Sequence, residues 1–196
     1  KPTVCGVGYW GCEDVDTDST AYNKWHGMLH RCYDTKVHEK YSEYIGCIVS
    51  EEWKNFSNFR YWYEKNNYGG SNLNLDKDIL YKGNKIYSPD TRYLRDTCCL
   101  VPGFINTLFT NRKANRGELP LGVYKEEKNG KTCYRAGMEV NGQSIKLGTF
   151  KTPEEAFQKY KEYKEQYIKD TAKRYKDKIP YSVYEAMMNW KIEITD

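Results

Sequence analysis

The stretch LDKDILYKGNKIYSPDT, from Leu75 to Thr91, decides how the first half of the chain is interpreted. Two carboxylates, Asp76 and Asp78, lie on a short apolar segment, and a Gly-Asn pair then separates this segment from Lys85–Ser88. Glycine and asparagine favour tight turns. The pattern predicts a β-hairpin with acidic residues at the end of its first strand. These acids are either surface residues or metal ligands, and the rest of the sequence has to distinguish the two.

The composition is typical of a folded protein without a membrane segment. Aromatic residues make up 15% of the 196 residues, and tyrosine alone occurs 19 times, whereas disordered chains contain few aromatics. No apolar run approaches the roughly 20 residues that a membrane-spanning helix needs. No secretory signal pattern opens the sequence. We therefore expect a cytoplasmic protein without a membrane partner.

The seven cysteines contain no Cys-x-x-Cys pair. An odd number of cysteines without a secretory signal favours reduced thiols. Ribbon-type zinc sites use closely spaced cysteine pairs, so the sequence offers little support for that class. A looser zinc site formed by Cys32 and a histidine remains an alternative to buried structural thiols.

Positive charge is concentrated in the second half of the chain. Residues 1–110 contain 13 Lys and Arg against 14 Asp and Glu, whereas residues 111–196 contain 18 against 13. A basic half suits a polyanion such as nucleic acid. A charge difference of this size also occurs on ordinary solvated domains.

The polar segment TNRKANRG (Thr110–Gly117) predicts a linker at 111–117 between domains at 1–110 and 118–196. Its cations either follow DNA phosphates or belong to a solvated connector. They are Arg112, Lys113 and Arg116.

The first half contains two strongly amphipathic helices. Apolar residues recur at helical spacing from Asp18 to Tyr33, and VSEEWKNFSNFRYWYEKN predicts a second helix capped by Ser50. A short helix over Val101–Asn111, with a proline in its first turn, is expected after the hairpin. The predicted core residues of the two long helices are Tyr22, Trp25, Met28, Leu29, Cys32, Trp53, Phe56, Phe59 and Tyr63.

The second half predicts a three-stranded antiparallel sheet followed by a long helix. Asn129-Gly130 and Asn141-Gly142 mark the two tight turns. Thr152 caps the helix and forms a capping box with Glu155, and a last helix is expected over Pro180–Trp190. The whole chain is therefore predicted to be α+β, with a helical N-terminal region and hairpin, and with the C-terminal sheet packed on its helix.

Alternation along these strands separates a buried face from an open one. On the second strand, Tyr134, Ala136, Met138 and Val140 point toward the helix. The opposite face stays open, as it does in sheets that enter a DNA groove. It carries Cys133, Arg135, Gly137, Glu139, Ser144, Lys146 and Gly148.

The second half resembles the plant ethylene-response-factor (APETALA) type of DNA-binding domain. The resemblance rests on LGVY, YRAGMEV and IKLGTFKTPEEAFQKY, and it spans about Leu121–Tyr175. It implies that the open sheet face enters the major groove of double-stranded DNA. The positions that match the family's contact residues are Tyr124, Glu126, Cys133, Arg135, Glu139, Ser144 and Lys146. Since only two of them are cations, a small sheet-and-helix domain with a mixed-charge face is the alternative.

The first half resembles phage HNH endonucleases, which often precede such a domain in phage and mobile-element proteins. The motifs are YNKWHGMLHRCYD, CIVSEEWKNFSNFRYW, LDKDILYKGNKIYSPDT and CCLVPGFINTLF, in this order. The resemblance implies a ββα-metal fold and one Mg²⁺ or Mn²⁺ ion, with Asp76 and Asn106 as ligands. Hard cations of this kind prefer oxygen ligands. Asp78 has no counterpart in the family's ligand set.

The family's general base is a histidine that directly follows the metal-binding aspartate, and Lys77 occupies that position. An ordinary lysine is protonated at neutral pH and cannot accept a proton, but it can stabilise negative charge. Among the histidines, His30 lies either near the metal or on an unrelated helix face. The Asp-Thr pair also occurs twice, at 90–91 and 96–97, so either Thr91 or Thr97 holds the motif's middle position.

Three functions follow. The first is a homing-type, metal-dependent DNA endonuclease of a phage in a bacterial host. The second is an HNH-fold regulator or blocker that binds DNA without cutting it, which the exchange of histidine for Lys77 favours. The third is a protein-interaction module that uses the open sheet face.

Overall fold

The computed structural model describes residues 3–89, 97–110, 117–140 and 142–196. The predicted α+β class is confirmed. The chain divides into two compact units, Lys1–Phe109 and Thr110–Asp196, here called the first and second unit. The predicted linker at 111–117 stays a prediction, since residues 111–116 lie outside the described part. No helix among the described residues has the length and hydropathy needed to cross a membrane.

The first unit contains five α-helices and four short strands among its described residues. The helices are α1 (Thr20–Tyr33), α2 (Thr35–Lys40), α3 (Glu51–Lys54), α4 (Phe56–Asn66) and α5 (Gly103–Phe109). The strands are β1 (Ile48–Val49), β2 (Leu73–Asp76), β3 (Ile86–Tyr87) and β4 (Cys99–Pro102).

Helix α1 forms as predicted. The Ser19 hydroxyl accepts a hydrogen bond from Tyr22 N and thereby satisfies one of the free N–H groups at the helix start. The apolar side packs into the core of the unit, where Trp25 Nε1 donates to Trp53 O at 2.6 Å. Eight of the nine predicted core residues are buried, and Tyr22 is partly buried against them.

The predicted second helix is broken in two at Asn55, which was not expected. Asn55 is extended (φ −83°, ψ 115°), and its side chain caps α4 by accepting from Ser57 N. The break is stabilised from outside the helix, because Tyr9 N donates to Lys54 O and Phe56 N donates to Tyr9 O. A distant segment therefore supplies the backbone partners that a continuous helix would have used.

The predicted hairpin within Leu75–Thr91 is wrong. Strand β2 pairs antiparallel with β4, from Leu73↔Pro102 to Asp76↔Cys99. Strand β3 pairs in parallel with β1 instead. The Asp76 carboxylate ends β2, since its Oδ1 accepts from Asp78 N and Ile79 N and turns the chain away.

Helix α5 begins later than predicted, because the start of the expected helix belongs to a strand. Val101 and Pro102 lie on β4, where Val101 is fully buried and pairs with Asn74. Strands β2 and β4 and helix α5 thus form a strand–strand–helix unit. It has the predicted order but a different second strand.

The second unit has the predicted sheet and helices. Strands β5 (Val123–Lys128), β6 (Lys131–Val140) and β7 (Gln143–Phe150) form an antiparallel sheet in that order. Asn129 (φ 50°) and Gly130 (φ 70°) make the first turn. Gly142 (φ 77°) lies in the second turn, whose Asn141 is outside the described residues.

The described part of the second unit also contains two α-helices, α6 (Pro153–Arg174) and α7 (Tyr181–Asn189). The predicted capping box is present, with Thr152 and Glu155 bonding to each other's backbone N–H groups. Ala136 and Met138 on β6 pack against Ala156 and Phe157 on α6, which confirms the predicted buried face of the strand.

Candidate functional site

A cleft of about 480 Å³ in the first unit brings together residues of α1, β2 and its following turn, β3 and α5. It contains all three residues predicted to carry the chemistry of the nuclease, namely Asp76, Lys77 and Asn106. The remaining lining residues are Thr20, Asn23, Lys24, Arg31, Tyr44, Asn74, Leu75, Asp78 and Tyr87.

Asp76 is held by its own turn at the end of β2. Its Oδ1 accepts from Asp78 N at 2.8 Å and from Ile79 N at 2.7 Å. Burial raises the pKa of Asp76, and the nearby Asp78 carboxylate adds to this, while the two backbone N–H groups oppose it. A cation next to Oδ2 would favour the ionised form.

Asn106 reaches the cleft from α5, which directly follows β4. Its side-chain oxygen is buried. Pro102 at the end of β4 pairs with Leu73 at the start of β2, and Asn106, four residues further along the chain, lines the cleft together with Leu75 and Asp76. The unexpected pairing of β2 therefore brings the two predicted ligands into one cleft.

The oxygen donors of the cleft fit a hard divalent cation. Carboxylate and amide oxygens, from Asp76, Asp78 and Asn106, are the ligands that Mg²⁺ and Mn²⁺ prefer. Among the described residues no group of three or more His, Cys, Asp or Glu side chains converges on a metal position. The fit therefore rests on a carboxylate and an amide, and it leaves most coordination positions to water and phosphate.

Lys77 is a buried cation rather than an exposed one. Its side chain is 8% exposed, and its Nζ donates to Asp78 Oδ2 at 2.7 Å. The same ammonium lies 6.0 Å from the centroid of the Tyr87 ring. The residue in the position of the family's histidine is thus neutralised by the carboxylate that follows it.

Sequence reasoning missed the contribution of α1 to this cleft. Thr20, Lys24 and Arg31 line it, and their spacing of four and seven residues places them on one helix face. This polar face was visible in the sequence beside the apolar stripe. Nothing local indicated, however, that the face would lie against Asp76.

Arg31 is fixed by aromatic rings on the wall of the cleft. Its guanidinium carbon lies 5.7 Å from the Tyr44 ring centroid and 5.6 Å from that of Tyr87, within the range of a cation–π interaction. Burial opposes the charge of Arg31, but its contacts with Tyr87 and Tyr44 raise its pKa. Arg31 therefore keeps its charge while its position is restricted.

Neither the histidines nor Cys32 contribute to the cleft as the structure describes it. His30 Nδ1 lies 2.9 Å from Asp34 Oδ2, and His38 Nε2 lies 2.9 Å from Arg31 O. Burial raises the pKa of Cys32 to about 12, so this thiol stays protonated. The helix-face alternative for His30 agrees with these contacts.

Thr97 rather than Thr91 is placed by the structure, since Thr91 lies outside the described residues. Thr97 is buried, and its hydroxyl donates to Ser88 O at 2.8 Å. This bond joins the end of β3 to the residues that precede β4. It therefore holds together the two ends of the segment that connects β3 to β4.

The open sheet face of the second unit carries fewer available cations than the sequence indicated. Arg135 Nε donates to Glu126 Oε1 at 2.6 Å, and its guanidinium carbon lies 4.4 Å from the Tyr124 ring centroid. Ser144 and Lys146 are exposed. Arg135 is thus engaged on both sides, and Lys146 is the exposed cation of this pair.

The predicted linker cations cannot be placed on this face. Arg112, Lys113 and Arg116 lie outside the described residues. Their contribution to DNA binding therefore stays a prediction from the sequence.

No protein-family model matches the chain, and no curated protein or solved structure matches it either. The resemblances to HNH endonucleases and to the ethylene-response-factor domain therefore stay predictions.

Proposed function

We propose that the chain is a DNA-binding, divalent-metal-dependent endonuclease of the HNH type. One observation carries the proposal: Asp76 at the end of β2 and Asn106 on α5 line the same cleft. The strand–strand–helix order of β2, β4 and α5 supports it, since this is the arrangement that the motifs predict. The proposal includes the phage or mobile-element setting and the cytoplasm of a bacterial host.

Each residue of the cleft has a separate task in this proposal. Asp76 and Asn106 would hold one Mg²⁺ or Mn²⁺ ion. When bound, the ion would neutralise negative charge that develops on the phosphate and the leaving oxygen. The turn bonds from Asp78 N and Ile79 N fix the Asp76 carboxylate before substrate arrives. Such preorganisation matters because misplacing a reacting group by about 1 Å costs about 100-fold in rate.

The second unit would hold duplex DNA through its open sheet face. Lys146 and Ser144 are exposed there and suit phosphate contacts. Tyr124 suits contacts with base edges, and Arg135 would make such contacts only on release from Glu126. The linker cations Arg112, Lys113 and Arg116 would add phosphate contacts. Binding of this kind weakens with rising salt concentration.

The test is nicking of supercoiled plasmid by the full chain with Mg²⁺ or Mn²⁺. We expect cleavage by the wild type, and none with EDTA or with Asp76→Asn. Asparagine keeps the Oδ1 that accepts the turn bonds but removes the charge, so loss of cleavage would not reflect loss of the turn. Equal nicking by wild type and Asp76→Asn would contradict the proposal.

A DNA-binding protein without nuclease activity is the second candidate. The observation that favours it is the burial of Lys77 against Asp78. An ammonium that is paired with a carboxylate is a poor substitute for a general base. Salt-sensitive DNA retention without nicking in any divalent metal would identify this case. Absence of salt-sensitive retention would favour the protein-interaction module instead.

A further inference from the structure

Three of the described residues that line the cleft are cationic, and they differ in which groups already balance their charge. Lys77 is paired with Asp78, and Arg31 lies between the rings of Tyr44 and Tyr87. Lys24 lines the same cleft and makes no ion pair or cation–π contact with any described residue. We propose that Lys24 is the residue that contacts the phosphate of the substrate. This inference rests on the proposed function and assigns a phosphate-positioning residue to it.

Among the described residues, the charges of the cleft leave Lys24 without a counter-charge of its own. The Lys77–Asp78 pair cancels internally, so the ammonium of Lys24 and the guanidinium of Arg31 remain with the carboxylate of Asp76. Asp76 is committed to its turn and to the proposed metal ion. An anion entering the cleft would therefore find Lys24 as its available partner.

The surroundings of Lys24 make the binding free energy of such an anion more favourable. Lys24 is half-buried, and burial lowers its pKa, with a smaller contribution from the charge of Arg31. A cation that has lost water without gaining a partner is stabilised when an anion arrives. Thr20, one turn earlier on α1, lines the cleft as well and offers a hydroxyl to the same anion.

Lys24 is better suited than Arg31 to keep contact with a substrate that moves during the reaction. The guanidinium of Arg31 is held between two rings and interacts with the Tyr87 hydroxyl. It therefore contributes a fixed positive field at the cleft wall. Lys24 carries its charge on a flexible four-carbon stem, which lets the ammonium move with the phosphate during the reaction.

The experiment measures binding of thymidine 3′,5′-bisphosphate to the full chain by calorimetry, first with EDTA and then with Mn²⁺. The variants are Lys24→Gln, Lys24→Arg and, as a matched control, Lys65→Gln. Lys65 lies on α4, is exposed and does not line the cleft. We expect about tenfold weaker binding by Lys24→Gln, recovery of most of the affinity by Lys24→Arg, and no change in Lys65→Gln. Circular dichroism confirms that each variant is folded.

The outcomes separate this inference from the proposed function. Tenfold weaker nucleotide binding by Lys24→Gln, with unchanged Mn²⁺ affinity, supports the Lys24 contact even if no variant cleaves DNA. If the wild type nicks plasmid and Lys24→Gln nicks at the same rate, the nuclease proposal stands and the role of Lys24 is overturned. Equal nucleotide binding by wild type and Lys24→Gln, or no binding by the wild type, also overturns it. If Lys24→Gln is unfolded, Lys24→Met takes its place in the same assay, and full affinity in that variant would contradict the assignment.

Discussion

The cleft of the first unit and the open sheet face of the second unit carry similar residue types in different arrangements. In the cleft, Lys77 and Asp78 neutralise each other, and Lys24 lines the same cleft as the proposed metal ligands. On the sheet face, the arginine is the neutralised cation, since Arg135 is paired with Glu126. The difference teaches that cations in a motif are not equivalent, because pairing and burial decide which of them can meet a phosphate.

The two regions also differ in how far their charged side chains are removed from water. The cleft is concave and holds Asp76 away from water, which raises its pKa. Side chains on the sheet face stay closer to solvent, where screening weakens each interaction. We therefore expect single substitutions in the cleft to have large effects on metal binding and chemistry. Substitutions on the sheet face should change DNA affinity in small steps.

Removing the charge of Asp76 should have the largest effect. We expect Asp76→Asn to lower Mn²⁺ affinity by about 1,000-fold, because loss of a ligand exceeds the 10- to 100-fold cost of losing a supporting contact. The turn should persist, since the asparagine oxygen can accept from Asp78 N and Ile79 N. Calorimetry with Mn²⁺ measures the change.

Asp76→Ala is the companion variant, because it also removes both turn bonds. It should lose metal binding and lower the free energy of unfolding of the first unit by about 1–3 kcal/mol. If both variants bind Mn²⁺ like the wild type, the cleft is not the metal site. The contrast with the sheet face would then disappear.

Local signals allowed much of the fold to be predicted from the sequence. The helix cap at Ser50 and the capping box of Thr152 and Glu155 are contacts within four residues, so residue type alone indicates them. The Asn-Gly turns and the strand alternation of the second unit are equally local. Asp76 and Asn106 were predicted by family resemblance, and the structure brings them into one cleft.

The errors have a common physical cause, which is competition from distant segments. The Gly-Asn pair after Asp78 favours a turn, but β2 pairs with β4 because Leu100 and Val101 bury their side chains there. The break at Asn55 depends on Tyr9, 46 residues earlier. The role of Lys24 depends on where the polar face of α1 lies in the folded unit, which spacing cannot indicate.

Gly122 offers the largest expected change in stability of the second unit. It has φ +75°, and an added Cβ would lie 2.0 Å from the Tyr160 ring. Gly122→Ala should therefore lower the free energy of unfolding by about 3 kcal/mol, from backbone strain and overlap together. Thermal unfolding of the fragment 118–196, which we expect to fold alone and bind duplex DNA, measures it.

Gly130→Ala is the matched control for this substitution. Gly130 has φ +70° but no atom within 4 Å of the added Cβ, so only the strain of about 1 kcal/mol should remain. Equal losses in both variants would mean that close packing of Tyr160 is not what requires glycine at 122. An unfolded wild-type fragment would show that the domain boundary is wrong.

A half-buried lysine in the second unit provides a counterpart to the desolvated charges of the cleft. Burial lowers the pKa of Lys164 on α6 to about 8, compared with about 10.4 in an unfolded chain. Between these values the unfolded chain binds more protons, so stability should rise as pH increases from about 8 to about 10.4.

Lys164→Met should remove this dependence and stabilise the second unit at pH 7. We expect the free energy of unfolding to rise by about 1–2 kcal/mol. This is less than the full pKa shift of Lys164 implies, because the side chain keeps some contact with solvent. Thermal unfolding of the wild type and the variant, repeated from pH 7 to about pH 10.4, measures the difference in stability and its pH dependence. Lys159→Met, an exposed position on the same helix, serves as the control and should leave the pH profile unchanged. A flat profile in the wild type would show that Lys164 is solvated.

The smallest effects are expected on the sheet face, and there the comparison between free and paired cations can be tested most directly. Lys146→Ala removes an exposed cation, so it should weaken binding on all DNA sequences and reduce the salt slope by about one. Glu126→Gln removes the partner of Arg135 instead. It should strengthen binding by less than about tenfold, because a surface ion pair contributes at most about 1 kcal/mol.

The opposite signs of these two changes make the test decisive for the sheet face. Gel-shift titrations of the full chain at several salt concentrations, on one fixed duplex, measure both. Arg135→Ala should cancel the gain from Glu126→Gln when the two are combined, since the gain depends on the released guanidinium. If Lys146→Ala and Glu126→Gln both bind like the wild type at every salt concentration, the open face does not contact DNA. Binding would then depend on the linker cations, and the protein-interaction alternative would gain support for this surface.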